Sequence, residues 1–139
     1  LAIGDTGRLP ERTRKLLERS IEQTAGNTKI NLVLALSYGS RAEIAGAARK
    51  IAQKISAGEL RPDAITEETF GQYLDTAGMP DPDLLIRTSG EMRISNFLLW
   101  QISYAELYLT DTLWPDFSEQ DMEAAVKDYA RRTRRFGGI

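Results

Sequence analysis

Arg87 and Arg93 stand six residues apart on either side of Gly90, with Ser95 two residues further on, in the run DLLIRTSGEMRISN from Asp83 to Asn96. A guanidinium offers a rigid fork of N–H donors that matches the oxygens of a phosphate. Arg87 closes an apolar strand-like run, Gly90 permits a tight loop, and Ser95 precedes a stretch that reads as a helix. A serine there would cap the helix and leave free N–H groups and the positive end of the dipole nearby. Two forks, a hydroxyl and a helix N-terminus are what a phosphate or diphosphate requires. On spacing alone an internal alternative stands beside this: Arg87 pairs with Asp83 or Glu91, and Ser95 only caps.

Glu106, in SYAELYL, interrupts an apolar stretch near the start of a predicted strand. A carboxylate placed there is costly unless it is paired or bound to a metal. Beside a diphosphate it suits Mg, which commonly takes one or two carboxylates plus phosphate oxygens. The other reading is a salt bridge to a nearby arginine.

The chain has 139 residues, no cysteine and no histidine. Disulfides, thiolate nucleophiles, Cys-based metal sites and histidine general bases are therefore excluded, and chemistry must rest on carboxylates, arginines, hydroxyls or amides. A formal net charge of −2 makes the whole an unsuitable match for nucleic acid. No apolar run reaches the roughly 18 residues of a membrane span, and no signal-peptide pattern is present. Arg131, Arg132, Arg134 and Arg135 near the C-terminus read as a solvated helix end or as an anion-binding tail.

These residues need a scaffold, and strand and helix signals alternate along the chain. Leu1–Ile3 reads as a strand already under way at the first residue, which suggests that the α/β architecture is incomplete at its N-terminus. Pro10 opens a helix to about Thr24, and INLVLAL (Ile30–Leu36) reads as a strand covered on both faces. Ser40 and Glu43 form an S-x-x-E capping box for a helix Arg41–Ser56, with Ile44, Ala48, Ile51 and Ile55 on its apolar face. Tyr38 and Arg41 could touch a ligand, although turn formation and capping account for most of SYGSR. A shorter helix is predicted over Thr66–Leu74, strands at Leu84–Arg87 and Glu106–Leu109, a helix over Asn96–Ser103, and a last helix capped by Ser118 and Asp121. The order implies one α/β domain over residues 1–139, a parallel sheet with helices on both faces. Ligands of such sheets collect beyond the carboxyl ends of strands, where Arg87 lies. Trp100 and Trp114 read as core or interface residues, and the block Phe97–Trp100 is apolar enough to suggest contact with a second chain.

The 35-residue stretch DLLIRTSGEMRISNFLLWQISYAELYLTDTLWPDF closely resembles the signature of the cis-prenyltransferases, the undecaprenyl diphosphate synthase family. IGDTGRLP, ALSYGSR and the terminal RRFGG resemble further family segments in the same order, so the likeness covers the whole chain and looks like the C-terminal half of the family. Ser40 stands where glycine is more usual.

The resemblance implies an enzyme that condenses isopentenyl diphosphate with an allylic diphosphate such as farnesyl diphosphate, giving a cis-polyprenyl diphosphate such as undecaprenyl diphosphate, the lipid carrier of cell-wall synthesis. It implies that Arg87, Arg93, Ile94 and Ser95 hold isopentenyl diphosphate and that Glu106 binds Mg2+. Arg135 and Gly137, from the Arg-x-Gly of Arg135-Phe136-Gly137, would reach across a homodimer to the neighbour's diphosphate; Glu91 lies in the signature without an assigned role. The family's HMDGNGRWA-like segment, with the aspartate that ligates Mg2+, has no counterpart here. The catalytic aspartate is therefore expected upstream of Leu1, and the chain alone is expected to be inactive. A cytoplasmic location, with peripheral contact at the inner membrane face through the lipid product, follows from the same likeness. Retention of Arg87, Arg93, Ser95 and Glu106 argues against a non-catalytic partner subunit. The trans-type synthases use DDxxD motifs, and none occurs.

Overall fold

A computed structural model describes residues 1–133, arranged as two compact units that divide between Met79 and Pro80. Each unit is built on a two-stranded parallel sheet, so the α/β class with parallel strands is as the sequence predicts.

In the first unit β1 (Ala2–Ile3) pairs with β2 (Leu34–Ala35), in the register Ala2 with Leu34 and Ile3 with Ala35. Parallel neighbours need a long crossover, and α1 (Glu11–Thr24) lies within it, with Pro10 at its N-cap. Backbone bonds from Leu34 N–H to the Leu1 carbonyl and from Leu36 N–H to the Ile3 carbonyl extend the ladder at both ends. Residues before Leu32 have no strand beside them in this unit, so Ile30 and Leu32 are 83% and 71% exposed. The run Ile30–Leu36 is thus a strand only toward its C-terminal end and is not covered on both faces there, contrary to its composition.

Helix α2 (Ser40–Ser56) buries Ala47 and Ile51, and it packs with α3 (Glu67–Gly71). With Ile3 and Leu74 these residues form the unit's small core. The capping box expected of Ser40 and Glu43 is absent: Gly39 is the N-cap, Ser40 is the first helical residue and is buried, and Glu43 is engaged elsewhere. Helix α3 ends earlier than its periodicity suggests, with Tyr73 and Leu74 held by three-residue turns to Phe70 and Gly71.

In the second unit β3 (Leu84–Arg87) and β4 (Glu106–Leu109) pair over their full length, from Leu84 with Glu106 to Arg87 with Leu109. Helix α4 (Glu119–Ala130) packs on β4 and buries Ala125. Its N-terminus carries the expected reciprocal cap: Ser118 accepts from the Asp121 N–H, and Asp121 accepts from the Ser118 N–H at 2.8 Å. Trp114 stacks on Phe117 at 6.0 Å between ring centroids but is 72% exposed, so it is not a core residue of its unit. No helix among the described residues is long and apolar enough to cross a membrane.

Candidate functional site

Arg87 is the last residue of β3, at the carboxyl end of a parallel strand, and is half-buried. The chain then turns back beside the segment leaving β4: Ser89 N–H donates to the Thr112 carbonyl and Gly90 N–H to the Thr110 carbonyl, both at 2.9 Å. Gly90 holds φ +64, a left-handed conformation that suits glycine. The loop therefore starts from a fixed point, with Arg87 beside it.

Among the described residues no carboxylate pairs with Arg87, so neither Asp83 nor Glu91 takes it up. Glu91 instead forms an ion pair with Arg93, whose side chain is 65% exposed. An exposed pair of this kind contributes little to stability and gives way readily to a better anion. Of the two internal pairings open in the sequence, one of a different membership exists, and it leaves Arg87 available.

Ser95 departs from expectation. The helix anticipated over residues 96–103 does not form, because Ser95, Asn96 and Leu98 all hold positive φ (54°, 61° and 45°), which no helix accommodates. Isolated turns replace it, including Ile102 N–H to the Leu98 carbonyl at 2.9 Å. Ser95 consequently caps nothing, and the expected helix dipole drops out of the cradle. Its exposed hydroxyl and the partly exposed Ile94 remain on the loop that carries Arg93. Phe97, Leu98 and Trp100 are half-buried in the turns that follow, and Leu99 is exposed.

Glu106 is the first residue of β4 and pairs in register with Leu84, not with Arg87. Three residues of strand separate the two positions, roughly 10 Å at about 3.3 Å per residue. Arg87 and Glu106 therefore stand at opposite ends of the β3–β4 ladder. At its own end Glu106 meets Arg132, just beyond α4: Nη1 donates to Glu106 Oε2 at 2.8 Å. The same guanidinium donates through Nε and Nη2 to Asp128 Oδ2 at 2.9 and 2.6 Å. These bonds, that to Glu106 foremost, raise the pKa of Arg132 above its ordinary value. The salt bridge left open as an alternative for Glu106 thus exists.

It leaves room for a cation. Glu106 Oε1 accepts no hydrogen bond among the described residues, and a single hard oxygen is one of the one or two carboxylate ligands Mg typically takes. Among the described residues no three carboxylates gather as a complete metal cage. The residues fit a cation whose other ligands are phosphate oxygens or water.

A second cluster lies at the carboxyl ends of β1 and β2, around a groove of about 260 Å3. The Tyr38 hydroxyl donates to Glu43 Oε2 at 2.6 Å, the Asp75 N–H donates to Glu43 Oε1 at 2.9 Å, and the Gly4 N–H donates to Asp75 Oδ2 at 3.0 Å. Here Glu43 does what its place in a capping motif concealed: it links Tyr38, after β2, to Asp75, beyond α3, and Asp75 in turn holds Gly4, after β1. Burial, then the bond to Glu43, pushes the Tyr38 pKa up to about 12, so its hydroxyl is a committed donor. A raised pKa contributes stability that is present below the ordinary tyrosine value and lost as pH climbs through the raised one. Stability measured by urea unfolding is accordingly expected to fall between about pH 10 and pH 12, and to fall less in Tyr38→Phe. An identical alkaline decline in both proteins would contradict the assignment.

Arg135 and Gly137 lie outside the described residues. Arg132, read in the sequence only as one of four arginines at a solvated helix end or anion-binding tail, is the arginine that Glu106 meets; its pairing with Asp128, four positions earlier, is the helical neighbour contact.

Residues 1–137 match the family model of undecaprenyl diphosphate synthase, Prenyltransf. An isoprenyl transferase of Geobacillus kaustophilus is 55% identical over 137 residues, covering 99% of this chain and 53% of that protein. Among solved structures, lavandulyl diphosphate synthase of Lavandula x intermedia, in complex with dimethylallyl diphosphate, superposes with a TM-score of 0.94 at 47% identity, over 98% of this chain and 58% of that one. A probable undecaprenyl diphosphate synthase of Campylobacter jejuni gives 0.83 at 37%, over 99% and 62%. The chain spans about half the length of the curated relatives it matches. By the match over residues 1–137 and the identity to these relatives, the chain belongs to the undecaprenyl diphosphate synthase family of prenyltransferases.

Proposed function

We propose that this chain forms part of a cis-prenyltransferase that adds isopentenyl diphosphate to an allylic diphosphate such as farnesyl diphosphate, giving a product of the undecaprenyl diphosphate kind. The observation that carries the reading is Arg87: a half-buried guanidinium at the carboxyl end of a parallel strand, with no carboxylate partner among the described residues. Six residues on, Arg93 holds only an exposed partner that an incoming diphosphate displaces. Arg87 and Arg93 bind the isopentenyl diphosphate, helped by the hydroxyl of Ser95 and by Ile94 beside it.

Ionisation of the allylic diphosphate leaves negative charge on the departing group, which fixed cations stabilise without any proton relay. That demand suits a chain rich in arginine and devoid of histidine and cysteine. Mg2+, held in part by Glu106, supplies further positive charge to the phosphate oxygens. Bringing two carbons together from two diphosphates is otherwise a matter of position. A homodimer, with Arg135 and Gly137 of one copy serving the other's diphosphate, and peripheral membrane contact through the lipid product, belong to the same reading.

The 139 residues contain no Asp-Gly-Asn-Gly-Arg run to hold the allylic diphosphate. Incubated with farnesyl diphosphate, isopentenyl diphosphate and Mg2+, these residues alone are expected to yield no polyprenyl product, and the same residues joined to such a segment are expected to elongate. Robust product from the first would overturn the division of labour, and none from the second would overturn the enzyme.

A further inference from the structure

The Glu106–Arg132–Asp128 cluster carries more than a salt bridge. One guanidinium donates to an oxygen of each of two carboxylates, at 2.8 Å to Glu106 at the head of β4 and at 2.6 Å to Asp128 on α4. Both carboxylates therefore face the same group, which stands where a cation shared between them would stand. Glu106 is only 28% exposed and Arg132 31%, so water screens the cluster incompletely. Glu106 Oε1 stays open among the described residues. A divalent ion arriving there meets a positive charge one carboxylate away, and the repulsion opposes its binding.

We propose that Arg132 is a positioning residue for Glu106 and its resident counter-ion, holding the carboxylate in place while keeping it closed to a free divalent cation until a diphosphate supplies the missing negative charge. The proposal rests on the reading of Glu106 as a ligand of Mg2+. A diphosphate adds negative charge to the cluster: its oxygens attract the incoming ion and offer Arg132 a further acceptor, so cation and diphosphate bind together. Asp128 belongs to the device, since its two bonds from Nε and Nη2 fix the plane of the guanidinium. Were Arg132 removed, two carboxylates would be left facing each other with no cation between them.

The test is Mn2+ binding by electron paramagnetic resonance, with no diphosphate present, in the wild-type protein and in Arg132→Gln, Arg132→Met, Arg132→Lys and the double variant Arg132→Gln with Glu106→Gln. Losing this partly screened charge, a few ångströms away, should tighten Mn2+ binding by at least about tenfold. Lysine should restore the wild-type value, and the double variant should abolish the gain. Unchanged or weaker Mn2+ binding in a Gln or Met variant that melts as the wild type does would overturn the proposal, as would a lysine variant that binds like glutamine. Failure of the underlying reading is separable. The Mn2+ concentration that half-saturates isopentenyl diphosphate binding should rise in Glu106→Gln; if it does not move, Glu106 is no ligand and the proposal falls with it.

Discussion

Alanine in place of Arg93 weakens the binding of isopentenyl diphosphate by about 1.5–3 kcal/mol, the usual range for a hydrogen bond to a charged group, or roughly 10- to 150-fold in affinity. Two opposing terms set that size. Arg93 must leave Glu91 to reach a diphosphate, but the pair it leaves is exposed and contributes little. What it gains is a fork of charge-assisted bonds to phosphate oxygens. The substitution also sets Glu91 free, adding an unpaired negative charge beside the ligand and pushing the loss toward the upper end. Arg87 has no pair to surrender among the described residues, so the same change there should cost at least as much. Calorimetry on the two variants checks both statements; affinity unchanged at Arg93 would remove it from the site.

Alanine at Gly4 is expected to destabilise the first unit by about 3 kcal/mol or more, the scale of overpacking added to a strained backbone. A Cβ built at Gly4 falls 2.4 Å from the Leu36 carbonyl oxygen and 2.9 Å from Tyr38 Cβ, at a φ of +91. The first of these atoms is backbone in the chain that pairs with β1, so no rotamer change relieves the overlap; the sheet itself must open. Gly58 supplies the control. It too holds a positive φ, +71, but nothing lies within 4 Å of its Cβ position, so alanine there should cost only the backbone term, about 1 kcal/mol. Urea unfolding separates the two, and equal losses would show that crowding at Gly4 is tolerated.

Much of the scaffold was legible in the residue pattern, and the reasons are local. Leu84–Arg87 and Glu106–Leu109 are short apolar runs bounded by turn residues, and both form strands at the expected positions. Helix α4 announced itself by Ser118 and Asp121, whose reciprocal bonds are present. Asn96–Ser103 misled because its apolar spacing suits a helix, while the left-handed backbone at Ser95, Asn96 and Leu98 leaves no trace in propensity. Ile30–Leu36 misled in the opposite direction: its composition describes a strand covered on both faces, and Ile30, Leu32 and Leu34 are exposed.

The site was legible as an inventory rather than as an arrangement. Arg87 and Arg93 could be named from their spacing across Gly90, and Glu106 from its misfit with an apolar stretch. That Arg87 and Glu106 stand at opposite ends of one ladder follows only from the register of β3 with β4. Glu43 was assigned to a cap because three-residue spacing from Ser40 allows one. Its real partners, Tyr38 and Asp75, include one that is 32 residues away in sequence.

Ile30 and Leu32, bare beside a two-residue strand, have a practical meaning. An open flank of this kind presents unpaired backbone groups and greasy side chains together, the combination that templates pairing between molecules. Left uncovered, it turns concentration into a hazard, because open edges of this kind favour pairing between copies.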